Sequence, residues 1–379
     1  MASTAARMRR PLASAAFFKL APSPASTPRT TRTPSRSNAS FRPKFEIFHD
    51  VPPLRSFRRN LLFNNRTVGL VPTMGALHDG HLSLVRMAAA ENTDVVVSIY
   101  VNPTQFGVNE DLATYPKTWK EDLKLLETVD RELASTSGSG RISAIFAPST
   151  KTMYPTLPPS SEVDGKGSFV TITPVAELLE GASRPVFFRG VATVCMKLFN
   201  IVQPERVYFG QKDVQQTVVI KRMVQDFHVN TEVRIGDTKR EEDGLAMSSR
   251  NVYLGSRRRE VAVVLSQALF SAEAQYLKGK RSRADILWVA NDVVNKSMQK
   301  QDELPPEKRA RFEVDYISLA DPDSLEEIDE VDPARGAVLS GAIKMLPLED
   351  PQDGEDCGLG GGIGTVRLID NIILKPAIA

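Results

Sequence analysis

VGLVPTMGALHDGHLSLVRMAAA, residues 68–90, starts as one kind of structure and ends as another. Val68, Leu70 and Val71 make an apolar run of the length of a buried strand, and Pro72 and Gly75 end it. From about Gly80 the apolar residues recur at helical spacing, at Leu82, Val85 and Ala89, so a helix opens where the turn closes. The first N–H groups of a helix lack partners within it and carry the positive end of its dipole. A strand, a glycine turn and a helix in this order therefore form a site for an anion, here a nucleotide phosphate.

His78 and His81 sit beside that dipole, and two imidazoles can donate to phosphate oxygens. The stretch lacks the Gly-Lys-Ser/Thr ending of a P-loop, so it supplies no lysine or hydroxyl to a terminal phosphate. Histidines close to an α-phosphate suit adenylyl transfer. Equally, one histidine can cap the helix while the other is a satisfied core residue. A zinc pair fits poorly, because metalloprotease histidines stand four apart around a glutamate and Asp79-Gly80 does not reproduce that.

The chain has 379 residues, 41% of them hydrophobic, enough for two domains with full cores. Net charge is +2, with the basic excess concentrated before residue 45, so no strong field draws nucleic acid or a membrane surface. Cys195 and Cys357 are the only cysteines, which excludes a disulfide framework and a thiolate metal cluster. No apolar run approaches the roughly 18–20 residues that span a bilayer. Residues 1–44 are basic from Arg9 to Lys44, rich in Ser, Thr, Ala and Pro, and carry no acid. That composition suits a mitochondrial transit peptide as well as the disordered tail of a cytoplasmic protein.

Residues 45–254 read as a parallel-sheet domain. Asp94–Val101 is a continuous apolar strand, and the loop after it, Asn102-Pro103-Thr104-Gln105-Phe106, lies at the carboxyl end where open α/β sheets bind ligands. A helix follows over Tyr115–Thr128, then a flexible surface insertion over 131–141, a strand at Ile142–Ala147 and a short strand at Ser168–Thr173. Two helices come next, the second over Gly190–Val202 with Cys195 on its core side, then a strand at Arg206–Gly210 ending in Gln211-Lys212-Asp213. The helix Val214–Asp226 and the strand Thr231–Ile235 lead to Met247-Ser248-Ser249-Arg250. Residues 255–379 read as a smaller α+β domain with helices at Arg258–Lys278 and to about Lys300, then strands at Phe312–Ala320, Gly336–Met345 and Thr365–Leu374. The acidic, glycine-rich residues 349–364 read as a disordered insertion.

Three strand ends thus offer His78/His81, Lys212 and Arg250, the charges needed around a phosphoryl group that gains negative charge in a transition state. Taken with PTMGALHDGH, YVNPTQF, LEGASRP, FRGVATV, VYFGQKDVQQ and DGLAMSSRN, the chain from Phe48 onward resembles the pantothenate synthetase (pantoate–β-alanine ligase) family of the nucleotidyltransferase superfamily. The resemblance implies a Rossmann-like N-terminal domain, a hinged C-terminal lid and a homodimer. It places ATP on Pro72, Thr73, Met74, Gly75, His78, Gly80 and His81, with His81 at the position of the family's assigned acid. Gly210, Gln211, Lys212 and Asp213, with Met247, Ser248, Ser249 and Arg250, match the other nucleotide contacts, and Lys239 a backbone contact. Gln105 and Gln216 match the pantoate-binding glutamines, Gln105 also lying near β-alanine, and Asn102 shares the Gln105 block. Mg²⁺ would bridge the phosphates, with Asp122 as its candidate protein ligand. Many members read Ser-Arg-Pro-Gly-His-Phe-Arg-Gly, whereas Val186 and Phe187 stand here in place of Gly and His.

The activity so implied is adenylation of pantoate by ATP followed by transfer of the pantoyl group to β-alanine, with AMP and diphosphate released. Two other readings share the first motif: a nucleotidyltransferase of dinucleotide-cofactor type, which keeps the nucleotide on its product, and a metabolite sensor that binds without turnover.

Overall fold

The computed structural model describes residues 45–107, 112–138 and 140–376; the transit-peptide reading of residues 1–44 lies outside them. The chain runs β1 (Glu46–Phe48), α1 (Val51–Phe63), β2 (Val68–Thr73), α2 (Asp79–Glu91), β3 (Asp94–Ile99), α3 (Trp119–Ser135), β4 (Arg141–Phe146), α4 (Thr150–Met153), α5 (Glu180–Ser183), α6 (Phe187–Val202), β5 (Arg206–Gly210), α7 (Val214–Asp226) and β6 (Glu232–Gly236). It continues with α8 (Gly255–Ala262), α9 (Val264–Leu277), α10 (Arg283–Asp302), β7 (Phe312–Ala320), β8 (Ala337–Met345) and β9 (Val366–Leu374).

Six parallel strands form one sheet in the order β1-β4-β3-β2-β5-β6, and β7-β8-β9 form a separate antiparallel sheet. The expected Rossmann-like domain with a smaller α+β lobe is therefore present. From β2 the chain steps outward to β3 and β4, then returns to lay β5 on the other side of β2. Loops leaving β2 and β5 consequently diverge at their carboxyl ends and open a crevice, the topological switch point where such sheets bind ligands. Both faces of the sheet are covered, so its strands read as near-continuous apolar runs; Val68, Leu70, Val71 and Val95–Val97 are all buried. Each such side chain contributes about 1.5–3 kcal/mol on leaving water.

Several sequence-based expectations differ from the structure. Helix α1 and strand β1 were not anticipated, although Pro52 near the helix start and Leu54, Arg58 and Leu61 on its buried side are a regular helix signature. Residues 131–135 continue α3, because Val129 and Leu133 bury its inner face, so the first half of the expected insertion is helix. No strand forms at 168–173. The long helix expected over 258–278 is broken at Val263 into α8 and α9.

Residues 349–364 are folded, contrary to the expected disorder. Arg258, 1% exposed, donates to the carbonyls of Leu254, Tyr253, Cys357 and Gly364, and Leu359 N–H donates to the Val252 carbonyl at 2.8 Å. Arg257 pairs with Glu355. The glycines serve turns: Gly358 has φ +76°, and a Cβ there would lie 2.5 Å from the Tyr253 oxygen.

Candidate active site

The turn between β2 and α2 is built on left-handed backbone at Gly75 (φ +83°) and Ala76 (φ +49°). Such a pair persists only when held from outside. Asp122 of α3 does so: 2% exposed, it accepts from Leu77 N–H at 2.8 Å, Ala76 N–H at 3.1 Å and the Thr118 hydroxyl. Both its oxygens are thus engaged in shaping the turn, which removes it as the expected Mg²⁺ ligand. Asp122→Asn should cost about 1–3 kcal/mol of stability, the penalty of mispairing a buried charged acceptor. It should leave the Mg²⁺ dependence of turnover unchanged; a tenfold rise in the Mg²⁺ needed for half-maximal rate would restore the metal role.

At the helix start His78 Nδ1 accepts from Gly80 N–H at 3.2 Å, and His81 Nδ1 lies 3.4 Å from His78 N–H, a reciprocal cap. Since each Nδ1 accepts, each ring carries its proton on Nε2. The rings lie 4.1 Å apart. Burial first, then the Lys212 charge, lowers the His78 pKa to about 4; burial, His78 and Lys212 lower that of His81 to about 3. Both imidazoles are therefore neutral N–H donors at pH 7. The capping role and the ligand role, posed above as alternatives, are compatible because they use different ring nitrogens.

A cavity of about 210 Å³ at the switch point is lined by Pro72, Thr73, Met74, His78, Gly80 and His81 from the β2 turn, and by Gly210, Lys212 and Asp213 from the end of β5. Gln105, Gln216, Lys239 and Met247–Arg250, also expected, line it as well. The 247–250 loop is tied to the β2 turn by the Ser249 hydroxyl, which donates to the Ala76 carbonyl at 3.3 Å. Lys239 meets it through its backbone, accepting from Met247 N–H at 2.9 Å. The Arg250 guanidinium lies 5.9 Å from the ring centroids of both Phe106 and Tyr115. A larger cavity of about 790 Å³ shares Phe187, Lys212, Gln216, Ser248 and Arg250 with the first and extends to β8 and β9.

Three other expected contacts do not line this cavity. Asn102, fully buried, donates to Gln105 Oε1 (3.0 Å) and the Gly190 carbonyl while its oxygen accepts from Tyr154 and Thr104. It orients Gln105 with the amide NH₂ left for a ligand. Gln211 turns toward β9, and Gly75 serves the turn through its backbone alone. Asp237 and Thr238, which follow β6, line the cavity although the sequence reading passed over them; their place at a strand's carboxyl end is the signal. Thr238 Oγ1 is buried with no protein partner, leaving a hydroxyl for a ligand.

The Pantoate-beta-alanine ligase family pattern matches residues 46–373. The chain belongs to this family. Pantothenate synthetases of Roseiflexus castenholzii (43% identical, covering 86% of this chain and 99% of the relative) and Acetivibrio thermocellus (41%; 87% and 98%) are among its relatives. A crystal structure of the Thermus thermophilus pantothenate synthetase superposes with a TM-score of 0.66 at 35% identity, over 86% of this chain and 98% of that one. The Francisella tularensis pantoate–β-alanine ligase complexed with β,γ-ATP and β-alanine gives 0.61 at 30% identity, over 88% and 100%. Phe187, where the resemblance leads one to expect a histidine, packs under the Arg184 guanidinium, which lies 3.8 Å from its ring centroid, and lines both cavities. Cys195 also lines the smaller cavity, and burial pushes its thiol up to about 12.

Proposed function

We propose that this protein condenses (R)-pantoate with β-alanine at the expense of ATP, giving pantothenate, AMP and diphosphate through pantoyl adenylate. The observation that carries the reading is the convergence of Lys212, Arg250 and two neutral histidines on one cavity beside Gln105 and Gln216.

A carboxylate does not condense with an amine at neutral pH because oxide is too poor a leaving group. A pantoate carboxylate oxygen attacks the α-phosphorus of ATP, the bond to the β-phosphate oxygen breaks, and diphosphate leaves. The β-alanine nitrogen then adds to the acyl carbon, AMP departs with the C–O bonding pair, and the amine proton passes to solvent. Lys212, Arg250, the α2 N-terminus and the two Nε2–H donors face the charge that builds on phosphorus. The Gln105 and Gln216 amides orient pantoate, and closure of the C-terminal lobe keeps water from the adenylate. Mg²⁺ would serve as the counter-ion of the ATP phosphates. Among the described residues no three His, Cys, Asp or Glu side chains gather to hold a metal, and Mg²⁺ on phosphates needs no such cage.

The protein acts as a homodimer in this reading, which sedimentation checks. No helix of the described residues is long and apolar enough to cross a membrane. Residues 1–44 carry either mitochondrial import or no address, and a fluorescent fusion of residues 1–50 separates the two.

Product analysis tests the reaction: free AMP in step with pantothenate supports the ligase, nucleotide retained on the product indicates the dinucleotide-type transferase, and binding without turnover the sensor. Gln105→Ala should raise the KM for pantoate about tenfold with a smaller fall in kcat, because its amide holds the substrate before and during the reaction. A pure kcat loss would place Gln105 on the transition state alone.

A further inference from the structure

The two loops that carry the phosphate-facing charges both leave the parallel sheet, yet what holds them comes from β9 of the other lobe. Asn371, 1% exposed, donates through Nδ2 to the Gln211 and Lys212 carbonyls, each at 2.8 Å, and its oxygen accepts from Gln211 Nε2 at 3.3 Å. Two consecutive carbonyls in a tight turn face one way, and a single NH₂ group serves both. Its neighbour Asp370, 4% exposed, takes the Arg240 guanidinium on both oxygens, at 2.6 and 2.9 Å. Arg240 bridges to Ala246 across a small hairpin, and Met247 N–H bonds the Lys239 carbonyl in the next rung. That hairpin delivers Ser248–Arg250 to the cavity. Two adjacent residues of one strand therefore fix the loop of Lys212 and the loop of Arg250 against each other.

We propose that Asp370 and Asn371 are positioning residues for adenylate formation: β9 sets Lys212 and Arg250 in register, so the catalytic charges are aligned only when the C-terminal lobe is seated. This rests on the ligase reading, in which both charges meet the reacting phosphate. An isolated structural bond would affect stability alone; a positioning bond affects the rate through the residue it positions. Misplacing a charge by about an ångström costs on the order of tenfold to a hundredfold in rate.

The test is exchange of labelled diphosphate into ATP in the presence of pantoate and Mg²⁺, on the full chain. Asn371→Asp keeps the shape and the acceptor for Gln211 while replacing both donors with a charge that repels the two carbonyls. It should lower kcat for exchange at least tenfold with the pantoate KM within about twofold. In a Lys212→Ala background the same change should cost less than about threefold, since the group it positions is gone. Asn371→Ala, which leaves room for a water to serve the carbonyls, carries the same comparison if the aspartate variant fails to fold. Equal losses in both backgrounds, or an unchanged kcat, would overturn the assignment. Absence of exchange in the unaltered protein would instead remove the ligase reading and this assignment with it.

Discussion

Lys212→Ala should slow pantoate-dependent diphosphate exchange by about 10²–10³-fold, the loss typical of one preorganised donor aimed at developing charge. Lys212 stands on the single turn between β5 and α7, at the switch point, and its charge already lowers the pKa of both histidines. No ion pair engages it among the described residues, so its removal should leave the fold intact. A second consequence follows from the electrostatics: burial holds most of the His78 pKa depression, so without Lys212 that pKa should rise from about 4 only part of the way toward its ordinary value. Histidine ¹⁵N shifts followed over pH 3–8 report this directly, in a protein with only four histidines. A mild loss of exchange, or an unmoved His78 titration, would place the ammonium away from the reacting phosphate.

His81→Ala is expected to produce a comparable loss, about 10²-fold or more, because its Nε2–H is a fixed neutral donor beside the α2 dipole. His81→Gln, whose amide nitrogen reaches the Nε2 position, should retain more exchange than His81→Asn, whose nitrogen reaches only Nδ1. The reverse order would mean that the cap, rather than the cavity-facing donor, is what turnover needs. Folding carries a matching pH signature. Both folded pKa values lie below the unfolded value of about 6.5, so in the window below 6.5 the unfolded chain binds protons that the native turn refuses. The contribution of this pair to stability is therefore constant above pH 6.5 and declines as pH falls from there toward about 4 and 3. Urea titrations of the protein and of His81→Gln at pH 7.5 and 5 should show the smaller decline in the variant.

Much of this architecture is written in local pattern. Apolar runs at 68–71 and 94–101 and helical spacing after Gly80 suffice for the β-α-β unit, because each element buries its own periodic face. The strand-end rule then places His78 and Lys212 near one another, whereas Arg250 arrives on a small hairpin that follows β6. What local pattern does not carry is what a residue does once long-range partners arrive. Asp122 has the composition of a metal ligand, but two N–H groups 45 and 46 positions earlier in the chain claim its oxygens. Asn102 sits in a ligand-loop block yet is enclosed by Tyr154, Thr104 and Gly190. The glycines of 349–364 resemble a linker until Arg258 collects the carbonyls around them. Asp370 and Asn371 fall inside the expected strand Thr365–Leu374 with no local pattern to single them out, and only the meeting of two lobes gives them partners.

The central claim is a reversible adenylate formed without a protein nucleophile, and isotope exchange isolates it. With ATP, Mg²⁺, pantoate and labelled diphosphate but no β-alanine, label should enter ATP, and omission of pantoate should abolish it. Label entering ATP without pantoate, or none entering with it while AMP and pantothenate still form once β-alanine is added, would contradict the stepwise mechanism.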